Sequence, residues 1–275
     1  LIDEQQAVFS GIGVFPSVKL TGTSTFETPS RPSFQQNFNN LEGSKNAFVP
    51  AFHYALPLGE RAVFGLSVVS PFGLSTEYSN LSPVRYAATF TELLTANVSP
   101  QIGGLLTEHF SVGAGLDFQW SRVKFNRILG APTLLQEGGI SPDAFDSLSY
   151  NKGHSIGMGF HAGVLGQFND SHTRIGLNYQ SKMKHKFHGY SELTGRLADS
   201  DLMDPGAKFR SDTLFSNDIE FPDIVTLSGY HDVNHKLAIL GSVVYTGWNV
   251  FKQIELNNVA AFSQREGRVI VNSTT

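Results

Sequence analysis

The sequence of 275 residues contains no cysteine, which excludes disulfide frameworks and Cys-based zinc sites and leaves no thiol evidence about the redox compartment. Charged residues make up only 16%, well under the roughly 25% of soluble domains. No run approaches the roughly 18 apolar residues that a spanning helix requires. The net charge of −4 provides no basic footprint for nucleic acid, and no such partner is expected. The nine histidines fall in no H-E-x-x-H or other metal spacing, and no G-x-x-x-x-G-K-[ST] phosphate loop is present, so neither metal nor cofactor is expected. No charged segment, apolar core and cleavage site open the chain at Leu1, which predicts that a signal peptide was removed or lies outside this sequence.

What is present is glycine (27), phenylalanine (22) and a hydrophobic content of 40%, with a mean hydropathy of −0.11. A membrane protein built without long apolar runs must cross as a closed barrel, because only helices and barrels satisfy every backbone N–H and C=O in lipid. Period-2 alternation carries that reading, since successive side chains of a strand point to opposite faces. Phe110, Val112, Ala114, Leu116, Phe118 and Trp120 share one face, while Ser111, Gly113, Gly115, Asp117 and Gln119 share the other. The same pattern sets Phe160 and Val164 against His161 and Gly163, and Leu177 and Tyr179 against Asn178 and Gln180.

Tight polar turns fall at 58–61, 107–109, 169–172 and 232–235, and longer connections at 21–44, 78–84, 128–154 and 194–216. Short turns at one end and long loops at the other are the habit of outer-membrane barrels. The segments 7–20, 46–57, 62–77, 86–106, 110–127, 156–168, 173–190, 217–231 and 236–253 predict about nine strands. Trp120, Tyr179, Tyr190, Tyr245 and Trp248 suit interfacial aromatic girdles. A soluble β-sandwich also alternates, but its strands average about 5–6 residues. The fold class expected is all-β, an antiparallel transmembrane β-barrel with residues 1–275 as its single domain. Nine is odd whereas bacterial single-chain barrels have even strand numbers, and the chain stops on the polar run Val271–Thr275. A partial barrel is therefore expected.

Several blocks in the same order resemble the FadL family of outer-membrane transport proteins. These are Leu1-Ile2 with Ala7–Leu20 and Thr21-Gly-Thr-Ser24, Ala51-Phe-His-Tyr-Ala-Leu-Pro57, Phe64 through Tyr78, Phe221-Pro-Asp through Tyr230, and Val244-Tyr-Thr-Gly-Trp-Asn-Val-Phe251. The resemblance implies a 14-stranded barrel plugged by an N-terminal hatch, with this chain starting just after the hatch and stopping about five strands early. It implies a monomeric outer-membrane barrel, in contact with outer-membrane lipid and lipopolysaccharide, that carries a long-chain fatty acid or another hydrophobic small molecule. A piece lacking hatch and closing strands is not expected to conduct alone, so function is read for the whole protein.

The residues themselves supply candidate sites. Beyond Trp120 the lumen parity of the fifth predicted strand becomes Val123, Phe125 and Arg127. An apolar wall ending in one guanidinium suits a long tail with a carboxylate, which Arg pairs bidentately; the competing reading is a solvated arginine at a loop base. The resemblance implies that an arginine at the matching position contacts the ligand headgroup. Ser70, Pro71, Phe72 and Gly73 interrupt the third strand, and proline within a sheet forces an edge or bulge. The resemblance implies lateral exit through such a kink; an ordinary bulge is the alternative. Leu134, Leu135, Ile140, Phe145 and Leu148 in one loop, with Leu197, Leu202, Met203 and Phe209 in another, match loops that form an exterior groove in the family, or merely pack the loops together.

Lys182, Lys184 and Lys186 are expected on the lumen phase near the mouth, steering anions inward, touching lipopolysaccharide phosphates, or simply solvated. Arg122 and Lys124 continue the lipid face at headgroup height. Gly153-His-Ser-Ile-Gly157 fits G-x-S-x-G, but that motif needs a strand–turn–helix context, and here it runs straight into a strand. No enzymatic activity is expected. A channel for hydrophobic compounds is the reading adopted; its rivals are a porin with a hydrophilic lumen and, behind it, an outer-membrane esterase acting through Ser155.

Overall fold

Strands β8 (Phe110–Leu129) and β9 (Ser147–Phe168) pair antiparallel from Phe110 opposite Gly166 to Leu129 opposite Ser147 without one slip. Unbroken alternation keeps Phe110, Leu116, Phe118, Phe160 and Val164 on the exposed face, while Asp117, Gln119 and Ser121 are buried on the other. In a computed structural model that describes residues 4–199, 201–202, 208–262 and 266–272, these two strands are the spine of a curled 14-stranded sheet. β1 (Gln6–Val14), β4 (Ala47–Pro57), β5 (Ala62–Val69) and β7 (Phe90–Leu105) lie on one side of them in that order.

On the other side each wall is broken in two. Thr173–Gln180 (β10) and Met183–Thr194 (β11) form the first, Phe209–Phe221 (β12) and Ile224–Asn234 (β13) the second, Leu237–Thr246 (β14) and Gln253–Ala260 (β15) the third, and Glu266–Asn272 (β16) pairs with β15. The lower half of β9 pairs with β10 and its upper half with β11, the register slipping by one residue between them. By register the breaks at Ser181–Lys182, Pro222–Asp223 and Gly247–Lys252 fall side by side. Pro222 lacks a ladder donor, and a 3-10 turn, Trp248–Val250, fills the third break. At the first break, the Ser181 hydroxyl accepts the Phe160 N–H at 3.0 Å, and Ser181 N–H donates to Phe160 O at 2.8 Å. Across the lumen, Gly73–Glu77 (β6) continues β5 after a similar one-residue slip.

All nine expected walls exist, four of them interrupted, and β16 adds a tenth. Several boundaries differ, the last predicted strand running on to Ala260 and not ending at 253. The first wall ends at Val14, and Lys19–Phe26 (β2) pairs with Phe34–Glu42 (β3) as a separate hairpin where a loop was expected. β9 begins at Ser147, nine residues before the predicted 156, because a small-residue stretch with no apolar face still pairs with Leu129 and Arg127. β12 begins at Phe209, inside the predicted loop 194–216.

The long connections gather at one end. The one α-helix among the described residues, α1 (Pro132–Glu137), lies there. The β2–β3 hairpin leans on it through an Arg31–Glu137 ion pair and a Thr28–Thr133 hydroxyl contact of 2.8 Å. Arg85, 4% exposed, donates to Asp146 Oδ2 and Gln36 Oε1 at 2.8 Å each, and Tyr86 donates to Asp146 Oδ1 at 2.8 Å. Burial pushes the Tyr86 hydroxyl above its ordinary range, with Asp146 adding to the shift. Burial likewise raises the Asp146 carboxyl despite its bonds from Arg85 and Tyr86. These contacts tie the loops over the mouth of the sheet.

Candidate functional site

The buried face of the sheet has two zones. The lower is polar. Asp117 Oδ1 accepts from Asn97 Nδ2 at 2.9 Å and Ser99 Oγ at 2.6 Å; His161 Nδ1 lies 3.1 Å from both Asp117 oxygens and His161 Nε2 2.8 Å from Gln101 Oε1. A cavity of about 830 Å3 opens beside this network, lined among others by His53, Ser67, Gln101, Arg174 and Asn178. Glycine makes the room: a Cβ on Gly115 would sit 2.6 Å from His161 Cε1.

The upper zone is apolar. Val123, Phe187, Ile219 and Phe221 form one buried cluster, with Phe72, Leu93, Phe251 and Ile254 against it. Leu214, Leu256 and Val259 form a second, which Phe125 joins. His185 marks the boundary: its Nε2 lies 3.0 Å from Gln119 Oε1 below, and its ring centroid 4.6 Å from that of Phe221 above. Above these, Leu135, Phe145, Leu193, Leu197, Ala198 and Ala260 cluster under the loops, with Leu202 packed against them.

Val123 and Phe125 thus line the apolar zone, on the parity expected. Arg127 shares that parity, no slip interrupting β8 up to it. Its Nε is buried without a hydrogen-bond partner, and no ion pair or hydrogen bond to its guanidinium is found among the described residues. Ser70, Pro71, Phe72 and Gly73 fall at the β5–β6 break. There Ser70 Oγ donates to Thr95 O at 2.6 Å, Thr95 Oγ1 donates to Phe72 O at 2.7 Å, and Phe72 N–H donates to Thr95 Oγ1 at 3.0 Å. The Phe72 ring reaches Phe221 (5.6 Å) and Trp248 (5.4 Å) on the opposite walls. Three of the four interruptions therefore meet at one aromatic cluster.

Of the loop residues, Leu135, Phe145 and Leu197 are buried together and Leu202 joins them, whereas Leu134 and Ile140 are about half exposed. Met203 lies outside the described residues. One expectation is overturned: Lys182, Lys184 and Lys186 face outward, alternating with buried Ser181, Met183, His185 and Phe187. The break at Ser181 flips the phase of the wall. Phe187 was not singled out for the same reason, whereas Leu214 fell in the predicted loop 194–216 and Leu256 beyond the predicted strand end at 253. Ser155 sits in mid-strand on β9, its Oγ accepting the Lys186 N–H at 3.1 Å, with no strand–turn–helix elbow around it.

Residues 1–273 match the family model described as outer membrane protein transport protein (OMPP1/FadL/TodX). The chain belongs to this family. It is 29% identical over 265 residues to the long-chain fatty acid transport protein of Salmonella typhi, covering 92% of this chain and 59% of that protein. The chain therefore spans less than two thirds of that relative. Among solved structures, a Pseudomonas aeruginosa FadL homologue superposes with a TM-score of 0.72 at 19% identity, covering 98% of this chain and 64% of that one. The Ralstonia pickettii toluene transporter TbuX superposes at 0.64 and 19% identity, covering 98% and 68%. Family and fold together make this an outer-membrane β-barrel chain of the FadL/TodX type.

Proposed function

We propose that the whole protein is a passive outer-membrane channel for long-chain fatty acids or similarly hydrophobic molecules. Ligand is captured among the loop residues Leu134, Leu135, Ile140, Phe145, Leu197, Leu202 and Met203. It moves to the apolar zone, where Val123 and Phe125 hold the tail and Arg127 meets the headgroup, and leaves sideways at Ser70–Gly73. The barrel acts as a monomer. The names of the relatives, one a fatty acid transporter and one a toluene transporter, agree with a greasy cargo. A porin reading accounts for the polar zone around Asp117 but not for the apolar one above it.

The observation that carries the proposal is the unpartnered guanidinium at the end of an apolar wall. Arg127 is partly buried, its Nε enclosed without a hydrogen-bond partner; enclosing such a group is costly, and a carboxylate delivered by the ligand would offset that cost. A charge-assisted bond of this kind contributes about 1.5–3 kcal/mol, or about ten- to a hundredfold in affinity. Arg127→Ala in the whole protein is expected to weaken binding of a long-chain acid by that factor and to leave the alcohol of equal chain length nearly unchanged. Equal losses for both would mean that Arg127 shapes the chamber without reading a carboxylate.

A further inference from the structure

The outward face of the sheet carries a cluster of cations that the channel reading leaves unused. By register, Arg122, His154 and His188 stand in one row across β8, β9 and β11, and Lys124, Lys152 and Tyr190 in the next row up. Lys186 lies below them on β11, outward and exposed. Neighbouring strands are about 4.8 Å apart and same-face residues along a strand about 6.8 Å, so the charged ends converge within reach of one polyanionic group. Two of the charged ends lie over rings: Arg122 Cζ is 5.9 Å from the Trp120 centroid and Lys152 Nζ 6.0 Å from that of Tyr190, on which Tyr150 stacks at 6.0 Å.

Counter-charge is short. Glu92 serves both Arg122 (2.8 Å) and Lys124 (3.7 Å). Lys152 and Lys186 form no ion pair among the described residues. The other nearby carboxylates stand at the margins: Glu192 beside Tyr150, Asp218 opposite Lys186 on β12, and Glu220, which takes Lys182 (3.7 Å) and Lys184 (3.4 Å). This happens in a chain whose net charge is −4.

Depth identifies the occupant. The rows immediately below are Trp120 beside Ile156 and Phe118 beside Met158, then Phe160, all exposed, with Ile156 at 72%. In an outer-membrane barrel this is the acyl-chain band with its aromatic margin. Arg122, Lys124 and Lys152 thus stand at headgroup height, with Lys186 at the aromatic margin level with Ile156, where a basic side chain gains from anionic lipid. We propose that the outward face of β8, β9 and β11 binds the phosphorylated headgroup of an outer-leaflet glycolipid, its acyl chains lying on the apolar band beneath. A lipid of this kind meets both surfaces at once; free phosphate would gain only the upper one.

The test is a titration of the whole protein in detergent, read by native mass spectrometry, with three probes: bisphosphorylated lipid A, its dephosphorylated counterpart and inorganic phosphate. Bisphosphorylated lipid is expected to bind, dephosphorylated lipid at least about tenfold more weakly, and millimolar inorganic phosphate not to displace it. Each lysine removed should cost about fivefold, so Lys124→Gln with Lys152→Gln and Lys186→Gln should cost about a hundredfold. Lys182→Gln, whose charge is already met by Glu220, should cost less than about twofold. Folding of each variant is checked by heat-modifiable mobility on gels. Should the triple variant fail to assemble, Lys152→Gln alone decides the matter: a loss of about fivefold supports the site, and no loss overturns it. Equal binding of the two lipids would overturn the proposal, as would displacement by inorganic phosphate at comparable concentration.

Discussion

β8 and β9 run 20 and 22 residues without a fault, whereas the three walls beyond them each break at the same level. The two regions use their inner faces differently. In the unbroken region, strict alternation carries one parity from Asp117 through Arg127, so the change from polar to apolar lumen is written directly along β8. In the broken region the half-strands change phase at the fault, which places Phe187 and Phe221 inward above it. The fault is thus how the fold builds an apolar chamber over a polar floor. A continuous wall of the same sequence would have sent Phe187 into lipid and Lys184 and Lys186 into the lumen.

The sharpest way to break the comparison is at a backbone contact. A Cβ on Gly189 would collide with the Lys152 carbonyl oxygen and sit 2.8 Å from Gly153 Cα, where β11 crosses close to β9. Gly113, in the unbroken region, offers 3.4 Å to Ile102 O and 3.6 Å to Gly103 Cα, which is ordinary contact. Gly189→Ala is expected to cost about 4 kcal/mol or more, and Gly113→Ala under about 1. Urea titration of the protein refolded in lipid vesicles measures both; similar midpoints would mean that β11 can retreat from β9.

Side-chain truncation should show the same asymmetry at smaller size. Phe187 is fully buried, packed with Val123 and Phe221, while Phe160 is 52% exposed on the lipid face. Phe187→Ala is expected to cost about 3–5 kcal/mol, because a cavity is left that its neighbours refill only in part. Phe160→Ala should lose about 1–2 kcal/mol, since lipid closes over the site. The reverse order would mean that the upper zone is loosely packed.

Legibility followed the same divide. On β8 the sequence alternates without slip, so the facing of Leu116, Asp117 and Gln119 and the parity of Arg127 could be read from residue spacing alone. The β5–β6 break was also legible, because Pro71 lacks a ladder donor. Ser181-Lys182 carries no such mark: neither residue forbids a strand, and the bulge is held by contacts to Phe160 that only the paired sheet supplies. The error at Lys182, Lys184 and Lys186 follows from that one position. The β2–β3 hairpin was missed for a different reason. It buries no full face, and its polar pairs, such as Thr23 with Asn37 at 2.7 Å, leave no apolar stripe to detect.

The smallest predicted effect concerns how a fault is held. Thr95 is 1% exposed, and its hydroxyl both donates to Phe72 O and accepts from Phe72 N–H, serving backbone groups at a bulge where ladder pairing is disrupted. Ser121, next to it on unbroken β8 and equally buried, donates to Leu94 O at 3.3 Å, a carbonyl in a continuous pairing of β7 with β8. Thr95→Val keeps the side-chain shape and removes both bonds, leaving the Phe72 N–H without its hydroxyl partner, so about 1–3 kcal/mol should be lost. Ser121→Ala removes one long bond to a group held elsewhere and should lose under about 0.5 kcal/mol. If the kink is also the exit, freeing Phe72 should raise fatty-acid uptake in Thr95→Val relative to Ser121→Ala at equal amounts of folded protein. A stability loss without that rise would leave Thr95 as a staple of the bulge and count against lateral exit at Ser70–Gly73.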